Sequence, residues 1–203
     1  MGRIPLTGLL CLAALAATGA KAASFDCAKA SSTVEKTICA DANVSRLDGA
    51  LGTAYRALMK TVGDDDEMST LVKASQRDWI KLRDTCRDAA CLADTYEARI
   101  AQLDGTSSLE SGDYGMGDLE LLVRDLGSKG RIVMLSGGNI RWVCAYSGVA
   151  TPPDGKSAVV GDAKLEVSFS PGVATIDDTP ANRAVQQDYC GMNAMMLGDY
   201  DKE

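Results

Sequence analysis

Cysteine and histidine carry much of protein chemistry, and this chain of 203 residues has seven of the first and none of the second. Cys11 lies inside an apolar N-terminal run. The other six, Cys27, Cys39, Cys86, Cys91, Cys144 and Cys190, form an even set, as complete disulfide pairing requires. The absence of histidine removes Ser-His and Cys-His nucleophilic catalysis. A zinc site would have to be built from cysteines, which disulfides explain better. No C-x-x-C pair offers redox chemistry. Among 28 acidic residues some carboxylates must lie close together, yet no pair sits in a recognisable glycosidase cleft motif. The run Asp64-Asp65-Asp66-Glu67 lacks the alternating ligands and glycine turn of a calcium loop. Met192, Met195 and Met196 read as core packing rather than a copper site. Gly137-Gly138-Asn139 has no following helix that would cradle a phosphate. The reading is a non-enzymatic binding protein that needs no cofactor and no metal.

The ends set the compartment. Arg3 followed by the apolar run Ile4 to Ala17 resembles a signal peptide, and that run is shorter than the roughly 20 residues of a membrane span. Ala20-Lys21-Ala22 fits an A-x-A cleavage site, so residues 1–22 are expected to be a signal peptide and the mature chain to begin at Ala23. Cys11 is not read as a lipid-attachment site, because Leu10 precedes it inside the apolar run. Disulfides persist in the periplasm or outside the cell, which is the expected location, with no membrane span. Loss of Arg3 and Lys21 leaves 19 cations against 28 acids, a net charge of −9. Such a surface disfavours nucleic acid and favours a basic protein partner.

Residues 23–104 read as helical. Ser32-Thr33-Val34-Glu35 is a capping box. Leu47, Leu51, Ala54, Tyr55, Leu58 and Val62 recur at helical spacing. Gly63 and the acidic run then end one helix and start the next, as a capped, solvated turn. Leu71, Ser75, Trp79, Leu82 and Cys86 form the next stripe, and after a break near Ala89 it continues through Leu92, Tyr96, Ile100 and Leu103. An antiparallel hairpin folded at residues 63–66 would set Asp48 opposite Lys81, within a turn of Arg77 and Arg83, as a pair holding register. It would also set Cys39 near Cys86 or Cys91. That geometry favours a bridge from Cys39 across the hairpin, with Cys27 taking the other partner. The local pairing Cys27–Cys39 with Cys86–Cys91 is the alternative.

Phe25-Asp26-Cys27-Ala28-Lys29-Ala30, Val34-Glu35-Lys36-Thr37-Ile38-Cys39, Leu47-Asp48-Gly49-Ala50-Leu51, Gln76-Arg77-Asp78-Trp79, Arg83-Asp84-Thr85-Cys86, Cys91-Leu92 and Tyr96-Glu97-Ala98-Arg99-Ile100 occur in that order. Together they resemble the N-terminal domain of the LprI-type lysozyme inhibitors, over residues 25–103. The resemblance implies a small exported bacterial protein and inhibition of lysozyme. It transfers no inhibitory residue, because the matched positions are cysteines, apolar stripes and register pairs.

Gly105 to Gly117 is rich in glycine and serine and reads as a linker. Residues 118–203 read as a small β domain. Strand-like runs occupy 119–126, 131–135, 140–146, 157–160, 165–169 and 173–176, with turns at 127–130 and 137–139 and a loop at 152–155. Trp142 alternates with Val143 and is placed facing out. Ala181 to Gln187 reads as a short helix, Gly198-Asp199-Tyr200 as a last strand, and Cys144 pairs with Cys190. The fold class is therefore α+β, a disulfide-linked antiparallel helical hairpin followed by a small antiparallel β domain. The expected function is inhibition of lysozyme or a related wall-degrading enzyme by occluding its cleft. Candidate contacts are the acidic turn Asp64, Asp65 and Asp66 and a basic tip at Lys129 and Arg131. The alternative is a non-enzymatic envelope module, an immunity or assembly factor, with the hairpin as its docking unit.

Overall fold

A computed structural model describes residues 23–139, 141–150, 157–160 and 163–203. The expected signal peptide, the loop at 152–155 and Ile140 lie outside the described residues. Local chemistry starts each helix. In α1 (Thr33–Ala40) the Ser32 hydroxyl accepts from the Glu35 amide, and the Glu35 carboxylate accepts from the Ser32 amide. Backbone N–H groups of Ser32 and Ser31 hold that carboxyl down at about 2. Asp41 caps α2 (Ala42–Val62), Asp65 caps α3 (Asp66–Arg83) and Asp88 caps α4 (Ala89–Asp104). Each cap satisfies amides that the first turn leaves without partners. Gly105, at φ +84°, closes α4 in the left-handed conformation that glycine adopts most easily.

Val44, Leu47, Leu51, Ala54, Leu58 and Val62 are buried along α2, as their spacing predicts. On α3 the buried stripe is Met68, Val72, Ser75 and Trp79; Leu82 is 61% exposed, so the expected face is rotated by part of a turn. The break foreseen near Ala89 falls at residues 84–88 and is a reversal. It sends α4 back to pack on α2 through Leu92, Tyr96 and Leu103. This third arm corrects the disulfide map. Because the chain doubles back at once, Cys86 meets Cys91 across the reversal, with Cα atoms 5.5 Å apart. Cys27, in a short 3-10 turn before α1, meets Cys39 in its last turn. The favoured cross-hairpin bridges are absent.

The second half is one antiparallel sheet of nine strands: β1 (Gly112–Met116), β2 (Leu119–Asp125), β3 (Arg131–Asn139), β4 (Trp142–Ala150), β5 (Ser157–Val160), β6 (Ala163–Glu166), β7 (Ser168–Ser170), β8 (Val173–Ile176) and β9 (Gly198–Lys202). Their spatial order is β6-β5-β4-β3-β2-β1-β9-β8-β7. The two edge strands, β6 and β7, are separated by Val167 alone, so covalent continuity brings the edges together. One bent strand pairs with β5 through its first half and with β8 through its second. The sheet thus curls into a small barrel without long open edges. Tyr114, Leu121, Val123, Val133, Leu135, Tyr146, Leu165, Ile176 and Tyr200 fill its interior. Helix α5 (Pro180–Tyr189) lies between β8 and β9 and adds Val185 to that core. Cys144 and Cys190 are bonded, as expected.

β1 lies within the stretch read as a linker, and its Tyr114 is 1% exposed. Gly137 and Gly138 belong to β3 rather than to a turn. The outer face of β2 to β4 meets the helices: Leu126, Ile132 and Val149 share one core with α2, α3 and α4. Arg124 Nε donates to the Leu103 carbonyl at 3.1 Å across the same junction. Val143 points out, 55% exposed, while its neighbour Trp142 is half-buried. Of the three C-terminal methionines only Met196 enters the core; Met192 and Met195 are 81% and 66% exposed.

Candidate functional site

The most sequence-specific strings of the helical segment converge on one cleft between α2 and α3. Asp48, Leu51, Gly52 and Tyr55 come from α2; Lys73, Gln76, Arg77, Trp79, Ile80 and Arg83 come from α3; Ser24 closes the end. The cleft encloses about 410 Å³. Trp79 is buried, meets Tyr96 edge-on at 5.1 Å and donates its indole N–H to the Thr95 carbonyl at 3.2 Å. The Arg83 guanidinium lies 5.6 Å over the Trp79 ring and grips Asp84 through Nε and Nη2. Among the described residues Lys73 and Arg77, one turn apart on the lip, have no acidic partner within ion-pair reach.

Asp48 forms the floor and is 4% exposed. The expected register pair with Lys81, Arg77 or Arg83 does not form. The Tyr96 hydroxyl donates to Asp48 Oδ1 at 2.7 Å, and the Ser24 backbone N–H donates to Oδ2 at 2.5 Å. The reason is the third arm: α4 packs on α2 and places Tyr96 beside Asp48, while the far end of α3 stands across the cleft. Burial, with the Asp48 bond second, pushes the Tyr96 phenol far above its ordinary range. Behind the cleft Arg99 is 2% exposed and donates only to neutral oxygens, those of Gln76, Gln102 and Ser75. Burial pulls its guanidinium down to about 10. Nothing in the local pattern marked Arg99 as buried, since an arginine on a helical stripe reads as a surface residue.

The acidic turn sits at the end of α2. Asp65 Oδ1 accepts from the Met68 amide at 2.9 Å, and Oδ2 accepts from the Ser147 hydroxyl of β4 at 3.1 Å. Asp64, Asp66 and Glu67 are exposed. The turn is therefore capped and solvated, as its sequence predicts, and is also tied to the barrel.

Lys129 and Arg131 do not form a projecting basic tip. Lys129 Nζ lies 2.7 Å from Asp78, which also pairs with Lys81; Lys129 first and Lys81 second hold the Asp78 carboxyl at about 2. Arg131 is 8% exposed, bonds Glu110 at 2.6 Å and lies 5.1 Å over the Phe169 ring. Its side chain points into the barrel because it shares the inward phase of Val133 and Leu135. Among the described residues no group of three or more acids or cysteines could hold a metal ion, and no helix is long and apolar enough to cross a membrane.

No solved structure matches the chain. The proteins named lipoprotein LprI from Mycobacterium bovis and Mycobacterium tuberculosis are each 31% identical to it over 84 residues, 39% of this chain and 40% of theirs. The chain thus spans about two-fifths of the length of these curated relatives. Residues 26–103, which span the four-helix segment that builds the cleft and the acidic turn, match the family model described as "Lysozyme inhibitor LprI".

Proposed function

We propose that the protein is an exported, non-catalytic binding protein that inhibits lysozyme or a related peptidoglycan-degrading enzyme by covering its cleft. The observation that carries this reading is the match of residues 26–103 to an inhibitor family. The charge supports it: a mature chain at −9 faces targets that are typically basic. Opposite charge accelerates encounter more than it deepens affinity. Asp64, Asp66 and Glu67 supply an exposed acidic turn, and the Asp65–Ser147 bond holds that turn in a fixed orientation. Because Lys129 and Arg131 are already engaged, the acidic turn is the contact assigned here, on the basic rim of the target's cleft rather than beside its own carboxylates.

The test is muramidase activity on cell walls with and without the purified, oxidised protein. Near-stoichiometric inhibition is expected. Replacing Asp64, Asp66 and Glu67 by serine should slow association and flatten its salt dependence, with dissociation less affected. Full activity of lysozymes from several classes in the presence of excess protein overturns the reading.

A further inference from the structure

Among the described residues the buried carboxylate of Asp48 has only neutral donors, the Ser24 amide and the Tyr96 hydroxyl. Every charged group facing it has another role or stands off. On α2, Arg46 donates to Asn43 and Arg56 to Thr53. On α3, Arg83 is bound to Asp84 and reaches the Tyr96 hydroxyl rather than Asp48 itself, while Lys73 and Arg77 stay on the lip. The group that α4 offers is the Tyr96 phenol. Among the described residues no cation pairs with Asp48. A buried carboxylate without a counter-ion is costly, so this position favours a positive charge.

We infer that Asp48 is the receptor for the α-ammonium group of Ala23, freed when the chain is cut between Ala22 and Ala23. The position of the cut rests on the export reading above; the receptor rests on the structure. Ser24 N, already 2.5 Å from Asp48 Oδ2, is the amide next to Ala23. Successive backbone nitrogens lie at most about 3.7 Å apart, so the Ala23 nitrogen is within one residue's reach of the carboxylate. The segment is seated rather than trailing. Ala23 and Phe25 pack against the helical core. Gly52 opens the floor beneath Ser24: a Cβ there would lie 3.3 Å from the Ser24 Cβ and 3.2 Å from Arg56.

In the precursor the Ala23 nitrogen is a neutral peptide N–H. Hydrolysis adds one water across the Ala22–Ala23 bond. Ala22 leaves as a carboxylate, and the Ala23 amine takes up a proton. A positive charge then appears beside the buried Asp48 carboxylate. Processing thus completes the helical unit, and the uncut chain is denied that ion pair.

The test uses full mature chains released from a fusion that leaves no extra residue, so that Ala23 is the first. Each is prepared with a free and with an acetylated terminus, in the native sequence and in Asp48→Asn. NMR titration reads the α-amino group, and thermal unfolding reads stability. Proton affinity of the native terminus should be about tenfold above that of an ordinary α-amino group, which titrates near 7.7–8.0; in Asp48→Asn it should return to the ordinary value. A raised folded value means the stabilisation is present below about pH 8 and is lost as pH rises through the folded value. Acetylation should lower the unfolding midpoint of the native chain and leave Asp48→Asn unmoved. An ordinary titration, or equal effects of acetylation in both backgrounds, overturns the receptor. Mass analysis of the exported protein separately locates the cut: a different first residue refutes the processing position, while the chain made to begin at Ala23 still decides the receptor.

Discussion

Removing the three disulfides one at a time measures both their connectivity and the logic of their placement. The bridges span 12, 5 and 46 positions, for Cys27–Cys39, Cys86–Cys91 and Cys144–Cys190. If each acts by restricting the unfolded chain, loop length sets the loss: roughly 3, 2 and 4 kcal/mol in that order. Paired alanine substitutions, C27A/C39A, C86A/C91A and C144A/C190A, avoid stray thiols. Urea unfolding followed by circular dichroism gives the losses, and the slope should rise where the longest loop is opened, because the unfolded chain then exposes more surface. Thiol titration of the denatured variants checks the map independently. With local pairing each double variant has no free thiol beyond any contributed by Cys11 in an uncut chain. With bridges crossing the hairpin, C27A/C39A would release both Cys86 and Cys91. Two new thiols in that variant refute the local map. A larger loss for the five-position bridge than for the 46-position bridge refutes the loop-entropy argument, and would place the stabilisation in native packing around the reversal at residues 84–88.

Alkali should unfold the protein through its buried phenols. Burial raises Tyr96, Tyr114, Tyr146 and Tyr200, with Tyr146 pushed up to about 12. These groups favour the folded state fully below about pH 10, the ordinary phenol value. That contribution is lost as pH rises through the folded values, so near-ultraviolet phenolate absorbance from these four should appear together with unfolding. Appearance of their phenolates in a chain still folded by circular dichroism would show that they are not buried. Substituting Lys129 by alanine removes the main influence on Asp78, so that carboxyl should rise from about 2 toward the ordinary range in an NMR titration. Inhibition of lysozyme should persist, because Lys129 is spent on a contact within the molecule; its loss would restore the basic turn as a contact.

What was legible in the sequence was local. The Ser32–Glu35 capping box, the acid caps and the α2 stripe depend on residues three or four apart, and each is found. What was not legible depends on the chain's return. The reversal before α4 replaces the lysine expected beside Asp48 with Tyr96 and turns two presumed long-range bridges into short ones. β1 is hidden because its sequence, Gly112-Asp113-Tyr114-Gly115-Met116, has the composition of a linker; Tyr114 fills the barrel at that point, with Met116 packed partly against it. Gly137 and Gly138 mislead for a related reason. At φ +119° and +116° they let β3 pass very close to its neighbours: a Cβ on Gly137 would meet the Asp118 carbonyl oxygen at 2.2 Å, and one on Gly138 the Trp142 oxygen at 2.0 Å. Glycine there marks a tight crossing inside a strand, which composition reads as a turn.

The helical segment and the barrel also depend on each other in a way that bears on binding. Leu126, Ile132 and Val149 on the outer face of the barrel complete the helical core. Arg124 reaches the last turn of α4, Lys129 reaches α3, and Ser147 reaches the acidic turn. Three separate barrel elements therefore touch three separate parts of the helical segment: its acidic turn, the body of α3 and its exit. A segment with a thin core of its own gains apolar cover from the sheet, and the acidic turn gains a support that a free loop would lack. Under the proposed inhibition, orientation of that turn would matter more than its charge alone, because steering brings a partner close but only a fixed surface can cover a cleft.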